Sequence, residues 1–161
     1  MTKRVWIPLL AVALAGLFYV VLLRETDESK IRRRLTELAE AVRVDASESD
    51  KAARPLRIRK TFARVFSSGV RVQIPDVSAS SLDDLTELAI VAGASFRSAE
   101  LDFARVRVLV SPGARSASVD TEATLTTTGL TGGATRDTRK LDVRFQNLDG
   151  DWRIAAVLPR D

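Results

Sequence analysis

The chain has no cysteine and no histidine, one tyrosine and one methionine among its 161 residues. Without cysteine there are no disulfides, no thiol nucleophile and no lipid-modified cysteine, a pattern that fits either side of a membrane. The common zinc sets need His or Cys and are excluded with them. Histidine is also the side chain that titrates near neutrality unaided, so a catalytic base here would have to be a carboxylate with a raised pKa or a shifted lysine. The tyrosine, Tyr19, lies inside a long apolar run and cannot serve in a folded-domain site. No metal or other cofactor is expected.

Concentrated positive charge is lacking too. From residue 24 onward 23 Lys+Arg face 21 Asp+Glu. Nucleic-acid binding needs clustered basic side chains with stacking aromatics or a reading motif, and neither is present, so no nucleic-acid partner is expected. Gly129 to Gly133 is glycine-rich but lacks the Lys-Ser/Thr that follows a phosphate loop, and reads as a hairpin tip. Asn147 to Asp151 has a calcium-loop flavour without the twelve-residue pattern or its closing Glu, and reads as a turn.

What the chain does contain begins with Trp6 to Leu23, 18 residues without a charge. As a helix this run is about 27 Å long, close to the hydrocarbon thickness of a bilayer, with Trp6 and Tyr19 toward its ends. The reading is a short tail (1–5), a single transmembrane helix (6–23), a juxtamembrane amphipathic helix (24–45) and a folded remainder (46–161). Ala13-Leu14-Ala15 resembles a signal-peptide cleavage site, although cleavage there would leave LFYVVLL at a new terminus; a buried core helix is the other alternative. Lys3 and Arg4 before the span argue for a cytoplasmic N-terminus, while the cations after it argue the reverse. Long folded domains translocate largely regardless of charge, so the expectation is an inner (plasma) membrane protein with an extracytoplasmic C-terminal domain.

Downstream, Ile31, Leu35, Leu38 and Val42 recur at helical spacing and predict a helix over 27–43, with Glu28 and Arg32 as an i,i+4 pair. Arg32, Arg33 and Arg34 on this helix could hold anionic headgroups at a membrane surface, or simply form a solvated face. Ala46 to Ala53 reads as a loop. A shorter second helix carries Ile58, Phe62, Val65 and Phe66, with Pro55 near its first turn and Ser67-Ser68-Gly69 as its stop. Val70, Val72 and Ile74 alternate as a strand. Ser81 is the expected N-cap of a third helix, with Leu82, Leu85, Leu88, Ala89, Ala92 and Phe96 on one face. Asp83 and Asp84 then sit where the helix dipole favours anions, which accounts for them better than a catalytic pair does.

From Ala99 the apolar period becomes two. Leu101 and Phe103 fall on one parity and Val106, Val108 and Val110 on the other, and this slip predicts a β-bulge near Ala104-Arg105. Three long strands form an antiparallel meander, and a fourth, Trp152 to Leu158, is apolar on both faces. Asp102, Asp120, Glu122 and Asp142 oppose the apolar rows, which points them to solvent, and Glu122 is placed to pair with Arg144.

This order, closing on Asp149, Gly150, Asp151, Trp152, Arg153 and Ile154, resembles the nuclear transport factor 2-like (cystatin-like) superfamily. Phe62 to Asp76 likewise resembles that family's second helix running into its first strand. The resemblance spans about residues 27–159 and implies an α+β fold, a cone of curved antiparallel sheet wrapped around helices, with Trp152 filling its interior. The superfamily's enzymes usually place His, Asp or Tyr inside the cone, and its anchored members include bitopic components of type IV secretion systems and mammalian-cell-entry associated proteins of lipid transporters. The leading expectation is therefore a non-catalytic, membrane-tethered scaffold domain of a bacterial-type cell envelope, bound to an envelope protein partner or to copies of itself. The second is a carrier or sensor of a small apolar ligand or lipid. In that case Thr121 and Arg139 would meet a polar headgroup while Phe145 and Trp152 line the wall, unless the cone is packed solid. An isomerase or hydro-lyase is the third.

Overall fold

In a computed structural model, residues 26–160 are described. The expected tail and transmembrane segment, 1–23, lie outside them. Among the described residues no helix is long and apolar enough to cross a membrane.

The first helix, α1 (Asp27–Val42), starts where Thr26 Oγ1 accepts the Ser29 amide at 3.2 Å, with Asp27 and Glu28 beside the positive end of the helix dipole. Its buried residues are Ile31, Leu35, Leu38 and Ala41. Val42, expected on the stripe, is only half-buried; Ala41 is covered because α1 packs against a second helix as well as against the sheet.

That second helix, α2 (Glu48–Val65), corrects the expectation of a loop over 46–53. It is 18 residues long, and Pro55 sits in its interior instead of near its first turn. An interior proline costs about 3 kcal/mol in an isolated helix and disfavours α geometry at the preceding residue. Here that residue, Arg54, is anchored at two points, to Asp50 one turn earlier and to the Gly93 carbonyl of another helix. Tertiary hydrogen bonds thus hold the backbone helical where local preference would break it. No glycine stop follows either: Phe66, which caps α2, already opens strand β1 (Phe66–Ile74), and its ring meets Phe62 edge to face at 5.0 Å.

After Pro75 and Asp76, the latter at φ 69°, a short strand that periodicity does not reveal, β2 (Val77–Ala79), pairs back on β1. Helix α3 (Leu82–Ala94) is capped as expected, with Ser81 Oγ accepting the Asp84 amide at 3.1 Å. Replacing Ser81 with Ala should lower unfolding stability by about 1 kcal/mol in a denaturant titration, without changing the fold. The buried face of α3 is rotated from the expected one. Thr86 and Gly93 are buried, while Leu88 and Ala92 face solvent. The Arg54 bond to the Gly93 carbonyl draws that side of the helix inward.

Strands β3 (Phe96–Val110), β4 (Ser116–Gly129), β5 (Ala134–Leu148) and β6 (Asp151–Pro159) form the meander. The six strands lie in the order β2-β1-β6-β5-β4-β3, and β1 runs parallel to β6. The sheet is therefore mixed where the resemblance implied an antiparallel one: the last strand of the chain inserts beside β1, a non-local pairing that leaves no mark on periodicity. The bulge read from the parity slip is present, with the register shifting between Ala104 and Arg107 and Arg105 at φ 53°. A second shift at Arg144/Phe145 adds to the curvature.

Asp149 and Gly150, both at positive φ, close the β5–β6 hairpin, and Asn147 Oδ1 accepts the Gly150 amide. Trp152, Phe145, Ile154 and Val119 on the sheet meet Ile31, Ile58 and Val65 from the helices as the largest fully buried side chains. The Trp152 ring fills the interior, as the resemblance implied.

Candidate functional site

The four residues expected to line a ligand cavity do not converge on one. Phe145 and Trp152 are core residues, 2% and 1% exposed. Thr121 is buried opposite Leu141, and its hydroxyl donates to the Ala104 carbonyl at 2.8 Å, satisfying the backbone beside the bulge. Arg139 lies at the rim, where it donates to Asp137 at 2.7 Å and to the Pro75 carbonyl at 2.6 Å and reaches Asp76. The Asp137 hydrogen bond raises its pKa above the ordinary arginine value against a smaller effect of burial. Arg139 therefore pins β5 to the β1–β2 turn, and its charge is already matched.

The three arginines of α1 separate in the same way. Arg32 pairs with Glu28 and donates to the Val106 carbonyl on β3; Arg33 lies 3.8 Å from Glu37. Arg34 turns inward, with only 12% of its side chain exposed. It donates to Glu37, to the Trp152 carbonyl and to Asp151, which also accepts from Arg153. Burial alone would lower the Arg34 pKa, but the bonds to Glu37 and Asp151 hold it above its usual value. Burial likewise pushes Asp151 up, while bonds from Arg153 and Arg34 outweigh that and hold it down. Arg34 is thus committed to latching α1 onto the start of β6 and is not available to a membrane surface. The anticipated Glu122–Arg144 pair is absent. Glu122 sits opposite Lys140 and bonds Arg105 at 3.0 Å across the bulge, and Arg144 bonds Asp142.

A polar cluster that sequence reasoning missed lies on α2. Asp50 Oδ2 accepts from Arg54 Nε and Nη2, at 3.0 and 2.7 Å, and from the Asp45 amide; Oδ1 accepts from Arg57 Nη1 at 2.6 Å. Arg54 Nη1 donates to the Gly93 carbonyl, and Arg57 Nη2 to that of Arg43. The side chains of Asp50 and Arg54 are each 7% exposed. Burial pushes the Asp50 pKa up, but the bonds from Arg57, Arg54 and the Asp45 amide hold it below the usual carboxylate range. The spacing of 50, 54 and 57 would place all three on one helical face, a signal hidden by reading 46–53 as a loop.

Beside this cluster, between α2, the C-terminal end of α3 and the first residues of β3, opens a cleft of about 400 Å3. Ile58, Ile90, Phe96 and Leu130 supply apolar wall, and Lys51, Arg54 and Arg97 supply positive charge. A second cleft, of about 350 Å3, separates α1 from β3. None of Thr121, Arg139, Phe145 or Trp152 lines either one. Among the described residues no three carboxylates gather as a metal site would require.

No protein-family model matches the sequence, and no curated protein matches it. Solved structures do. A candidate scytalone dehydratase from Novosphingobium aromaticivorans is 13% identical at a TM-score of 0.66, over 81% of this chain and 80% of that one. A nuclear transport factor 2-like superfamily protein from Salmonella enterica serovar Typhimurium is 13% identical at 0.65, over 84% and 95%. A candidate dehydratase of the nuclear transport factor 2-like family from Streptomyces avermitilis is 13% identical at 0.62, over 84% and 97%. At these identities the likeness is one of fold. Residues 26–160 adopt the nuclear transport factor 2-like fold, an architecture that hosts many functions and dictates none.

Proposed function

We propose that this is a non-catalytic, membrane-tethered interaction domain of a bacterial-type cell-envelope complex. Residues 6–23 act as the tether, and the cone docks onto a protein partner. The observation that carries this reading is the filled interior. Trp152, Phe145, Ile154 and Val119 fill the space against Ile31, Ile58 and Val65 of the helices, each at most 2% exposed. The interior chemistry points the same way. The described residues include no His, Cys or Tyr, and the carboxylates of Asp50 and Asp151 are held low by arginines, the opposite of what a general acid or base at neutral pH needs.

Two measurements test the two halves of the reading. The full chain should stay with membranes through an alkaline carbonate wash, and a chain lacking residues 1–23 should not; release of the full chain by the wash would end the tether. Carboxylate titration by NMR should find Asp50 and Asp151 below the ordinary carboxylate range. A carboxylate that titrates near 6 or 7 would restore the enzymatic alternative.

A further inference from the structure

The cluster at Asp50 does not balance its charge. Among the described residues one carboxylate faces two guanidinium groups, Arg54 almost fully buried and Arg57 35% exposed, and an excess of positive charge is shared between them. Arg54 uses Nε, one Nη1 hydrogen and one Nη2 hydrogen on Asp50 and the Gly93 carbonyl, and two of its five N–H groups remain. Burying a charge without a matching counter-charge is costly, and the cost falls when an anion reaches it. Arg54 lines the 400 Å3 cleft, and so does Arg97, which has no ionic or hydrogen-bonding partner among the described residues. Among the described residues the one acid on the cleft wall, Asp45, is turned to Arg43 at 3.6 Å. Ile58, Ile90 and Phe96 supply apolar lining beside these arginines, and the volume falls within the roughly 300–1,000 Å3 range of small-molecule pockets.

We propose that this cleft binds a small organic carboxylate with an apolar body. Its carboxylate is held between Arg54 and Arg97, and its body lies against Ile90 and Phe96. The site is distinct from the cone interior and goes beyond the tethered-scaffold role: it would make the domain responsive to a metabolite. Because the same residues join α2 to α3 through Gly93, an occupied cleft stiffens that junction.

The test uses the full chain with 2-naphthoate and its uncharged counterpart 2-naphthamide, each titrated by isothermal calorimetry. The carboxylate should bind about tenfold or more tightly than the amide, and lose affinity as salt rises. Arg97→Glu, at an exposed position with no partner among the described residues, should remove the preference for the carboxylate. Ala94→Trp, exposed on the cleft wall, should block both probes while leaving the melting temperature unchanged. Equal affinity for acid and amide, no binding of either at millimolar concentration, or unchanged binding to Ala94→Trp would each overturn the site. None of these outcomes depends on membrane attachment or on a protein partner, so the site and the scaffold role can fail separately.

Discussion

Asp50→Ala should be among the most destabilising single substitutions in the domain, lowering unfolding free energy by about 3–5 kcal/mol, because it leaves Arg54 and Arg57 charged with no carboxylate to meet them. The loss reaches three elements at once. Asp50 orients Arg54, which holds the carbonyl of Gly93 on α3, and Arg57, which holds that of Arg43 after α1. Without these bonds the interior Pro55 loses what keeps α2 continuous, so the variant should also show reduced helicity near residues 48–56. Replacing both Asp50 and Arg54 with apolar residues of similar volume should cost less than Asp50→Ala alone, since no unpaired charge then remains at Arg54.

The same carboxylate sets a pH dependence. The folded-state pKa of Asp50 lies below its usual value of 3.8, so its contribution is fully present above that value and is lost as pH falls through the folded pKa. The groups facing it are Arg54, Arg57 and the Asp45 amide. Denaturant unfolding at a series of pH values should therefore find a constant gap between wild type and Asp50→Ala from neutral pH down to about 5, narrowing at lower pH. A gap that persists at pH 2 would show that Asp50 contributes through packing alone.

The second large effect is at Trp152. Trp152→Ala should cost about 3–5 kcal/mol, the usual range for removing a large buried aromatic side chain. The position does more than fill space. Its indole Nε1 donates to Asp27 at 2.9 Å, at the first turn of α1, while its carbonyl accepts from Arg34 on the same helix. Trp152→Phe keeps most of the volume and loses the indole bond, and should cost only about 1–2 kcal/mol. Hydrogen exchange separates the two contributions. In the Phe variant, protection should fall at the start of α1 and persist in β5 and β6; a uniform fall across the sheet would mean that the Asp27 bond has no local role. Because Asp27 lies only a few residues after the proposed tether, this latch would set where the chain emerges from the domain toward the membrane.

How far these features could be read in advance depends on how local their causes are. The helix at Ile31, Leu35 and Leu38, the Ser81 cap, the Asp149-Gly150 turn and the bulge at Arg105 are each written in a few adjacent residues, and each is found where the pattern puts it. The first two turns of α2 were misread because their stabilising partner, the Gly93 carbonyl, is 39 positions away in the chain from Arg54. The parallel seam of β1 with β6, and β2 itself, were missed for the same reason. Parity puts Thr121, Arg139 and Phe145 on one face of the sheet, but parity says nothing about whether that face encloses space or is packed. The cleft beside Arg54 was invisible because its lining comes from α2, α3, β3 and the β4–β5 hairpin, none of which signals the others.

The most direct test of the central claim, a tethered domain that works by holding a partner, is native mass spectrometry of the full chain released gently from its own membrane. The account predicts the chain accompanied by a second protein mass in fixed ratio, retained when the cleft is blocked by Ala94→Trp. A bare chain, recovered without a partner from membranes in which it is present at its normal level, would contradict it.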